Sequence, residues 1–111
     1  MVPERDALIE SVRRTYEVGL AIVEKKNKDY GANEDPFRNF RAATMLGLSV
    51  EKAILVRTLD KLARINNLLD HEAYVTEETM DDTIVDACNY LAILKAWREC
   101  ARARVVAPES R

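Results

Sequence analysis

Apolar residues in the first thirty positions recur three to four residues apart, the spacing of one face of an α-helix. The stripe consists of Leu8, Val12, Tyr16, Gly19 and Val23. Pro3 suits a first helical turn, so the pattern predicts a first helix from about Pro3 to about Lys28. Gly19 either permits the close approach of another backbone or is a tolerated helix glycine that costs about 1 kcal/mol.

The helical pattern breaks in the segment KNKDYGANEDPF, which contains glycine, asparagine and proline. Asp35 can cap a second, short helix that runs from about Pro36 to Leu46, with the proline as its first residue. Gly47 then ends that helix as a candidate left-handed cap. We therefore expect a break between the first two helices and a second break after Leu46.

Two longer helices complete the pattern. Ser49 is a good N-cap for a third helix that runs to about Leu69, and Thr76 caps a fourth that continues to about Ala103. Four helices joined by short links predict a single domain, 1–111, with an all-α fold, a small four-helix bundle. A helical core this thin often gains stability by pairing with a second copy, so we expect a homo-oligomer, by default a homodimer.

Charge and composition exclude several classes of protein. The chain has 17 Lys and Arg residues against 19 Asp and Glu residues, which gives a net charge of −2. It therefore lacks the strongly basic surface expected of a dedicated nucleic-acid-binding protein. The basic run RECARAR is more simply a solvated helix end, so nucleic acid is not an expected partner. One histidine and two cysteines are too few for an ordinary zinc site, and nucleophilic triads are not expected.

The location of the protein follows from the same composition. No stretch reaches the ~20 apolar residues that cross a membrane. The first ten residues are charged from Glu4 onward and contain no apolar core of a signal peptide. We expect a cytoplasmic protein without a membrane partner.

The third predicted helix carries a tight charged stripe. At ~100° of rotation per residue, its members fall within a sector of roughly 100°. They are Arg57, Asp60, Lys61 and Arg64. An apolar face on the other side consists of Leu55, Leu59, Leu62 and Leu69. The stripe is either a solvated face with intrahelical ion pairs, such as Asp60 with Arg64, or a set of groups that meets phosphates.

The fourth predicted helix carries an acidic stripe. Its polar members are Glu78, Asp82, Asp86 and Asn89, and Ile93 and Trp97 continue the same face. A stripe that runs into Ile and Trp is expected to be partly covered, with its acidic half at the mouth of a cleft. Carboxylates at this spacing repel one another unless a cation lies between them. Mg²⁺ or Mn²⁺ could be that cation, and so could the basic residues of the third helix.

A third cluster surrounds the first break. Three lysines, Lys28 among them, end the first helix, where positive charge suits the helix dipole. Asp29 and Tyr30 then enter the glycine turn, and Tyr30 can stack on a base or pack in the core. Asn39 opens the second helix beside two arginines, which suit a phosphate. These residues are candidate substrate-binding groups.

Three stretches in fixed order resemble a known family. They are KNKDYGANEDPFRNF, LVRTLDKLARINNLL and EETMDDTIVDACNYLAIL, and the resemblance covers roughly 20–97. The family is that of phage and bacterial proteins called the nucleotide modification associated domain, formerly a domain of unknown function. The resemblance implies a bacteriophage origin, hence the host cytoplasm, and a role near nucleotide metabolism.

The last two helices are more distantly similar to MazG-type all-α nucleotide pyrophosphohydrolases, so the expected bundle is MazG-like. In those enzymes, acids on two neighbouring helices bind magnesium, and water attacks the α-phosphorus of a nucleoside triphosphate. The resemblance implies catalytic roles for Asp60, Asp82 and Asp86, and Mg²⁺ or Mn²⁺ held by Glu78, Asp82 and Asp86. Basic residues stand where that family has acids on its earlier helix, and Thr83 stands three residues before Asp86.

Three functions remain open at this point. The leading hypothesis is a metal-dependent hydrolase that converts a nucleoside triphosphate to the monophosphate and pyrophosphate. Its phosphate-binding groups would be Arg57, Lys61 and Arg64, and its base- or sugar-binding groups Tyr30, Asn39 and Asn89. The alternatives are a nucleotide-binding protein without catalysis, and a phage protein that binds a host protein or a modification enzyme.

Overall fold

The protein is almost entirely helical. A computed structural model describes residues 3–30, 34–71 and 77–106. Every regular element in these ranges is a helix, so the predicted all-α fold is confirmed. The elements are α1 (Pro3–Tyr30), α2 (Arg38–Arg41), a 3₁₀ helix (Ala42–Leu46), α3 (Val50–Asp70) and α4 (Glu77–Val106).

Two local signals set the start of α3. The Ser49 side-chain oxygen accepts a hydrogen bond from the backbone N–H of Lys52 at 3.1 Å, which is the predicted N-cap. Gly47 ends the preceding 3₁₀ helix at φ 82°, a left-handed conformation that glycine adopts without steric strain. Thr76, the expected cap of the fourth helix, lies outside the described residues.

The second helix is shorter than predicted. The pattern predicts one helix from Pro36 to Leu46, whereas α2 begins at Arg38 and continues as a 3₁₀ helix from Ala42. Before α2, an Asp35 carboxylate oxygen accepts the N–H of Phe37 at 3.0 Å, a local turn that competes with a helical start. Within the 3₁₀ helix, the Thr44 hydroxyl donates to the carbonyl three residues back at 2.7 Å.

The core lies between α3 and α4. Its buried apolar residues are Val50, Ala53, Ile54, Val85 and Ala87. Ile54 is the one large side chain that is entirely hidden within the described part of the chain. Two buried hydroxyls complete this seam, and each donates to a carbonyl four residues back: Thr58 to Ile54 at 2.9 Å, and Thr83 to Thr79 at 2.8 Å.

Helix α1 packs against α4 at a glycine. Gly19 is buried, and its carbonyl accepts a hydrogen bond from the Asn89 side-chain amide at 3.2 Å. A Cβ built on Gly19 would lie 2.6 Å from the Asn89 side-chain oxygen, so only glycine fits this contact unchanged. The close approach expected at Gly19 therefore occurs, and its nearest neighbour is a side chain of α4 rather than a backbone.

Much of the apolar surface is uncovered in a single chain. On α1, Leu8 is 62% exposed, and Val12 and Tyr16 are exposed with it. The leucines predicted to form the apolar face of α3 are exposed as well: Leu55, Leu59, Leu62 and Leu69. The accessible surface is 8773 Å², whereas a compact monomer of 12.6 kDa exposes about 6,200 Å². The radius of gyration is 17.2 Å, against about 13 Å for a compact domain of this length.

The contact between Gly19 and Asn89 is expected to couple the stability of α1 to that of α4. In a helix, Gly→Ala normally stabilises by about 1 kcal/mol. In this protein Gly19→Ala should lack that gain, because the new methyl group displaces the Asn89 amide and removes a hydrogen bond worth about 1 kcal/mol. Denaturant unfolding of Gly19→Ala, Asn89→Ala and the double variant measures the coupling.

The double variant provides the control for this prediction. Once Asn89 is alanine, the same Gly19→Ala change should stabilise the protein by about 0.5–1 kcal/mol. Equal effects of Gly19→Ala in both backgrounds would show that the two residues do not interact.

Candidate functional site

Three adjoining pockets form a cleft around Tyr90, which lines all of them. We name this the Tyr90 cleft. Its basic pocket, of about 210 Å³, is lined by Arg57, Asp60, Lys61, Arg64 and Tyr90. Its junction pocket, of about 140 Å³, adds Lys26, Asp86 and Asn89. Its aromatic pocket, of about 360 Å³, lies beneath Phe37 and Phe40.

The basic pocket is the predicted charged stripe of α3 with a tyrosine opposite. The structure brings Arg57, Lys61 and Arg64 together, so three cations surround one carboxylate, that of Asp60. The Arg64 Nε also donates to the buried Thr83 hydroxyl at 3.4 Å, which ties the guanidinium group to α4. Three cations that line one pocket favour a multiply charged anion.

An ion pair joins α3 to α4 in the junction pocket. The Lys61 ammonium lies 2.9 Å from an Asp86 carboxylate oxygen, and the two side chains are 29% and 38% exposed. The sequence left two candidates for the cation beside the acids of α4, a metal ion or a basic residue of α3. For Asp86, the structure shows a basic residue of α3, Lys61, in this position. Asn89 lies in the same pocket, where its amide bonds to Gly19 of α1.

The three candidate catalytic acids do not converge. Asp60 lies in the basic pocket, Asp86 in the junction pocket, and Asp82 in a separate groove between α1 and α4 that is also lined by Arg14 and Asp81. Among the described residues, no three His, Cys, Asp or Glu side chains are grouped closely enough to hold a metal ion. The structure therefore does not bring Asp60, Asp82 and Asp86 together around a single point. The side chain of Glu78 lies outside the described residues.

A short roof closes the aromatic pocket. This roof is the segment 34–48, and its rings meet those of α4 edge to face. The Phe37 and Trp97 ring centroids are 5.2 Å apart at 76°, and those of Phe40 and Tyr90 are 6.2 Å apart at 84°. Such pairs are worth about 0.5–1.5 kcal/mol beyond the area that they bury.

Trp97 is also the anchor for two arginines. The guanidinium carbons of Arg41 and Arg104 lie 4.8 and 4.7 Å from its ring centroid. Arg41, which belongs to the roof, forms an ion pair with Asp35. The Arg41 guanidinium group donates a hydrogen bond to the Asp35 carboxylate, and so does the backbone N–H of Phe37. Both hydrogen bonds hold the pKa of the Asp35 carboxyl below its usual value. The roof is therefore fixed in place by charge as well as by ring contacts.

The resemblances drawn from the sequence have no independent support. Comparisons with known protein families, with curated proteins and with solved structures find no match for this chain. The relation to the phage family and to MazG-type enzymes stays a prediction that rests on the sequence motifs.

Within the described residues, no helix is long and apolar enough to span a membrane.

The remaining predicted site residues divide into two groups. Asn39 lines the aromatic pocket and Asn89 the junction pocket. Lys28 and Asp29 are exposed at the end of α1 and line none of the three pockets, and the side chain of Tyr30 lies outside the described residues.

Sequence reasoning missed the central member of the cleft. Tyr90 directly follows the candidate Asn89, yet the helical-face argument did not select it. Lys26, which lines both the junction and the aromatic pockets, was explained by the helix dipole alone. Ile93 lines the same two pockets, and its place on the covered face of the fourth helix was the available signal.

Proposed function

We propose that this protein binds a nucleotide in the Tyr90 cleft and holds its phosphates in the basic pocket. The observation that carries the proposal is the convergence of Arg57, Lys61 and Arg64 beside Tyr90. Guanidinium groups bind phosphate oxygens in pairs, and an ammonium group adds a compact positive charge. The junction pocket extends this positive region through Lys26.

The Lys61–Asp86 ion pair is compatible with a phosphate ligand. A half-exposed pair of this kind contributes at most about 1 kcal/mol. A polyphosphate carries several negative charges, so it competes effectively with a single carboxylate for the Lys61 ammonium group. Asp86 therefore lowers the net positive charge of the cleft but leaves the two arginines for the phosphates.

Binding without hydrolysis is the function that the described residues support. The arginines and the lysine of the basic pocket can hold phosphate oxygens by direct hydrogen bonds, without a metal bridge. Because Asp82 lies in a separate groove and Asp86 is paired with Lys61, we assign no step to a magnesium ion. Metal-dependent hydrolysis stays a prediction of the MazG resemblance, and the experiments below separate it from simple binding.

We also propose that the protein is a homodimer whose interface includes the exposed stripe of α1. The accessible surface exceeds that of a compact monomer by about 2,500 Å². An obligate homodimer buries roughly 1,000–2,500 Å² from each chain, so the excess is large enough for such an interface. A second copy explains why Leu8, Val12 and Tyr16 face solvent in one chain.

Removal of a single cation from the basic pocket should weaken nucleotide binding. We expect Arg57→Ala and Arg64→Ala each to bind ATP and inorganic triphosphate about tenfold or more weakly, as measured by isothermal calorimetry. The reason is that a hydrogen bond to a charged group is worth about 1.5–3 kcal/mol. Arg13→Ala is the matched control, because Arg13 pairs with Glu10 on the exposed face of α1. No binding of either compound at millimolar concentration, or equal weakening by the control, would contradict the proposal.

Magnesium should not be required for this binding. We expect the affinity for ATP to survive EDTA, because the phosphates face guanidinium and ammonium groups rather than a metal bridge. The same samples are analysed for pyrophosphate with Mg²⁺ or Mn²⁺, beside Asp82→Ala and Asp86→Ala. Metal-dependent pyrophosphate release that these variants abolish would replace the binding proposal with the hydrolase hypothesis.

The oligomeric state is measured by light scattering after size exclusion. At micromolar concentration we expect twice the 12.6 kDa chain mass. Val12→Glu should shift the protein toward monomer, because it places a charge in the apolar stripe of α1. Met45→Glu serves as the control, since Met45 is 86% exposed on the 3₁₀ helix, away from that stripe. A monomer across the whole concentration range would exclude the dimer.

A further inference from the structure

The aromatic pocket has the lining of a site for a flat, weakly polar ring. Phe37 and Phe40 cover it from the roof, and Tyr90 and Ile93 form its floor on α4. Polar groups are few in this pocket, and they include the side chains of Lys26 and Asn39. A cavity of about 360 Å³ lies within the usual size range of small-molecule sites, roughly 300–1,000 Å³.

The aromatic pocket adjoins the pockets that hold the cations of the cleft. It shares Lys26, Tyr90 and Ile93 with the junction pocket, which in turn shares Lys61 with the basic pocket. One ligand can therefore place a ring beneath the roof and charged groups beside α3. A ligand that fits both pockets has an apolar ring and an anionic group in one molecule. A fatty acyl chain would leave the cations unmatched, and a polyphosphate without a ring would leave the aromatic pocket unfilled.

We infer that the aromatic pocket is the base-binding subsite of the cleft, so that the ligand is a nucleoside phosphate recognised at both ends. The inference rests on the proposed nucleotide-binding function and adds the position of the base. Tyr90 lines both the aromatic and the basic pockets, and its ring centroid lies 6.2 Å from that of Phe40 in an edge-to-face contact. Stacking of a base on an aromatic side chain contributes about 1–3 kcal/mol.

The roof prepares this subsite before a ligand arrives. Trp97 holds Phe37 by an edge contact and lies beneath the Arg41 guanidinium group, and Arg41 is paired with Asp35. Side chains that are already ordered lose little entropy on binding, so the pocket can bind a ring without rearrangement. Trp97 is the single tryptophan of the chain and contacts a lining residue, so its fluorescence reports occupancy of the pocket.

The test compares ligands with and without a base on the full-length protein. Inorganic triphosphate, the four common nucleoside triphosphates and the free nucleosides are titrated by calorimetry and by Trp97 fluorescence. We expect at least one nucleoside triphosphate to bind about fivefold or more tightly than inorganic triphosphate, and to change the Trp97 signal where triphosphate does not.

Two opposite substitutions sharpen the test. Phe40→Ala removes a ring from the pocket, and Ala96→Phe fills the pocket from α4. Each should lower the affinity for the nucleoside triphosphate by about fivefold or more while leaving that for inorganic triphosphate unchanged. Leu46→Ala is the control, since Leu46 lies on the roof segment but is 86% exposed and outside the pocket lining. Circular dichroism confirms that each variant is folded.

The outcomes separate the two proposals. Equal affinities for the nucleoside triphosphates and inorganic triphosphate, unchanged by Phe40→Ala and Ala96→Phe, would overturn the base subsite and leave phosphate binding intact. Binding of free nucleosides with no binding of inorganic triphosphate would support the subsite and contradict the basic pocket. Absence of binding by every compound would overturn both.

Discussion

The seam between α3 and α4 is the contact on which the rest of this fold depends. It is narrow, because its buried residues are small or medium-sized and Ile54 is the one large side chain that is fully hidden within the described residues. Burial of the Thr58 and Thr83 hydroxyls in this seam costs little free energy, because each hydroxyl donates a hydrogen bond to a carbonyl of its own helix. Close approach of the two helices places the flanking groups of α3 beside Tyr90 and so creates the basic pocket.

The two halves of helix α1 contribute to different surfaces of the protein. The Gly19–Asn89 contact brings the C-terminal half of α1 onto the cleft, where Val23 and Lys26 line its wall. The N-terminal half gains no equivalent cover, and Leu8 stays in solvent with its apolar neighbours. The proposed ligand-binding surface and the proposed dimer surface therefore lie on different halves of the same helix.

The distribution of charge among the described residues favours the proposed anion-binding cleft over a metal centre. The acids of α4 are spread over separate cavities, and Asp86 is already matched by Lys61. The cations of α3 collect on one side of Tyr90, with only Asp60 among them. An anion thus meets several positive groups together, whereas a cation meets no comparable set of carboxylates among the described residues.

Interactions over a few residues were predictable from the sequence, because caps and helical periodicity act locally: Ser49 and Gly47 lie at the expected ends, and the charged stripe of α3 follows from the rotation per residue. The aromatic pocket was not predictable, since only packing of the roof on α4 brings Phe37 to Trp97 and Phe40 to Tyr90. Tertiary structure also separated the acidic stripe of α4. Lys61 of α3 pairs with Asp86, whereas Asp82, one turn earlier on α4, lines the groove beside Arg14 of α1, and no local rule of helix geometry decides which neighbouring helix each carboxylate meets.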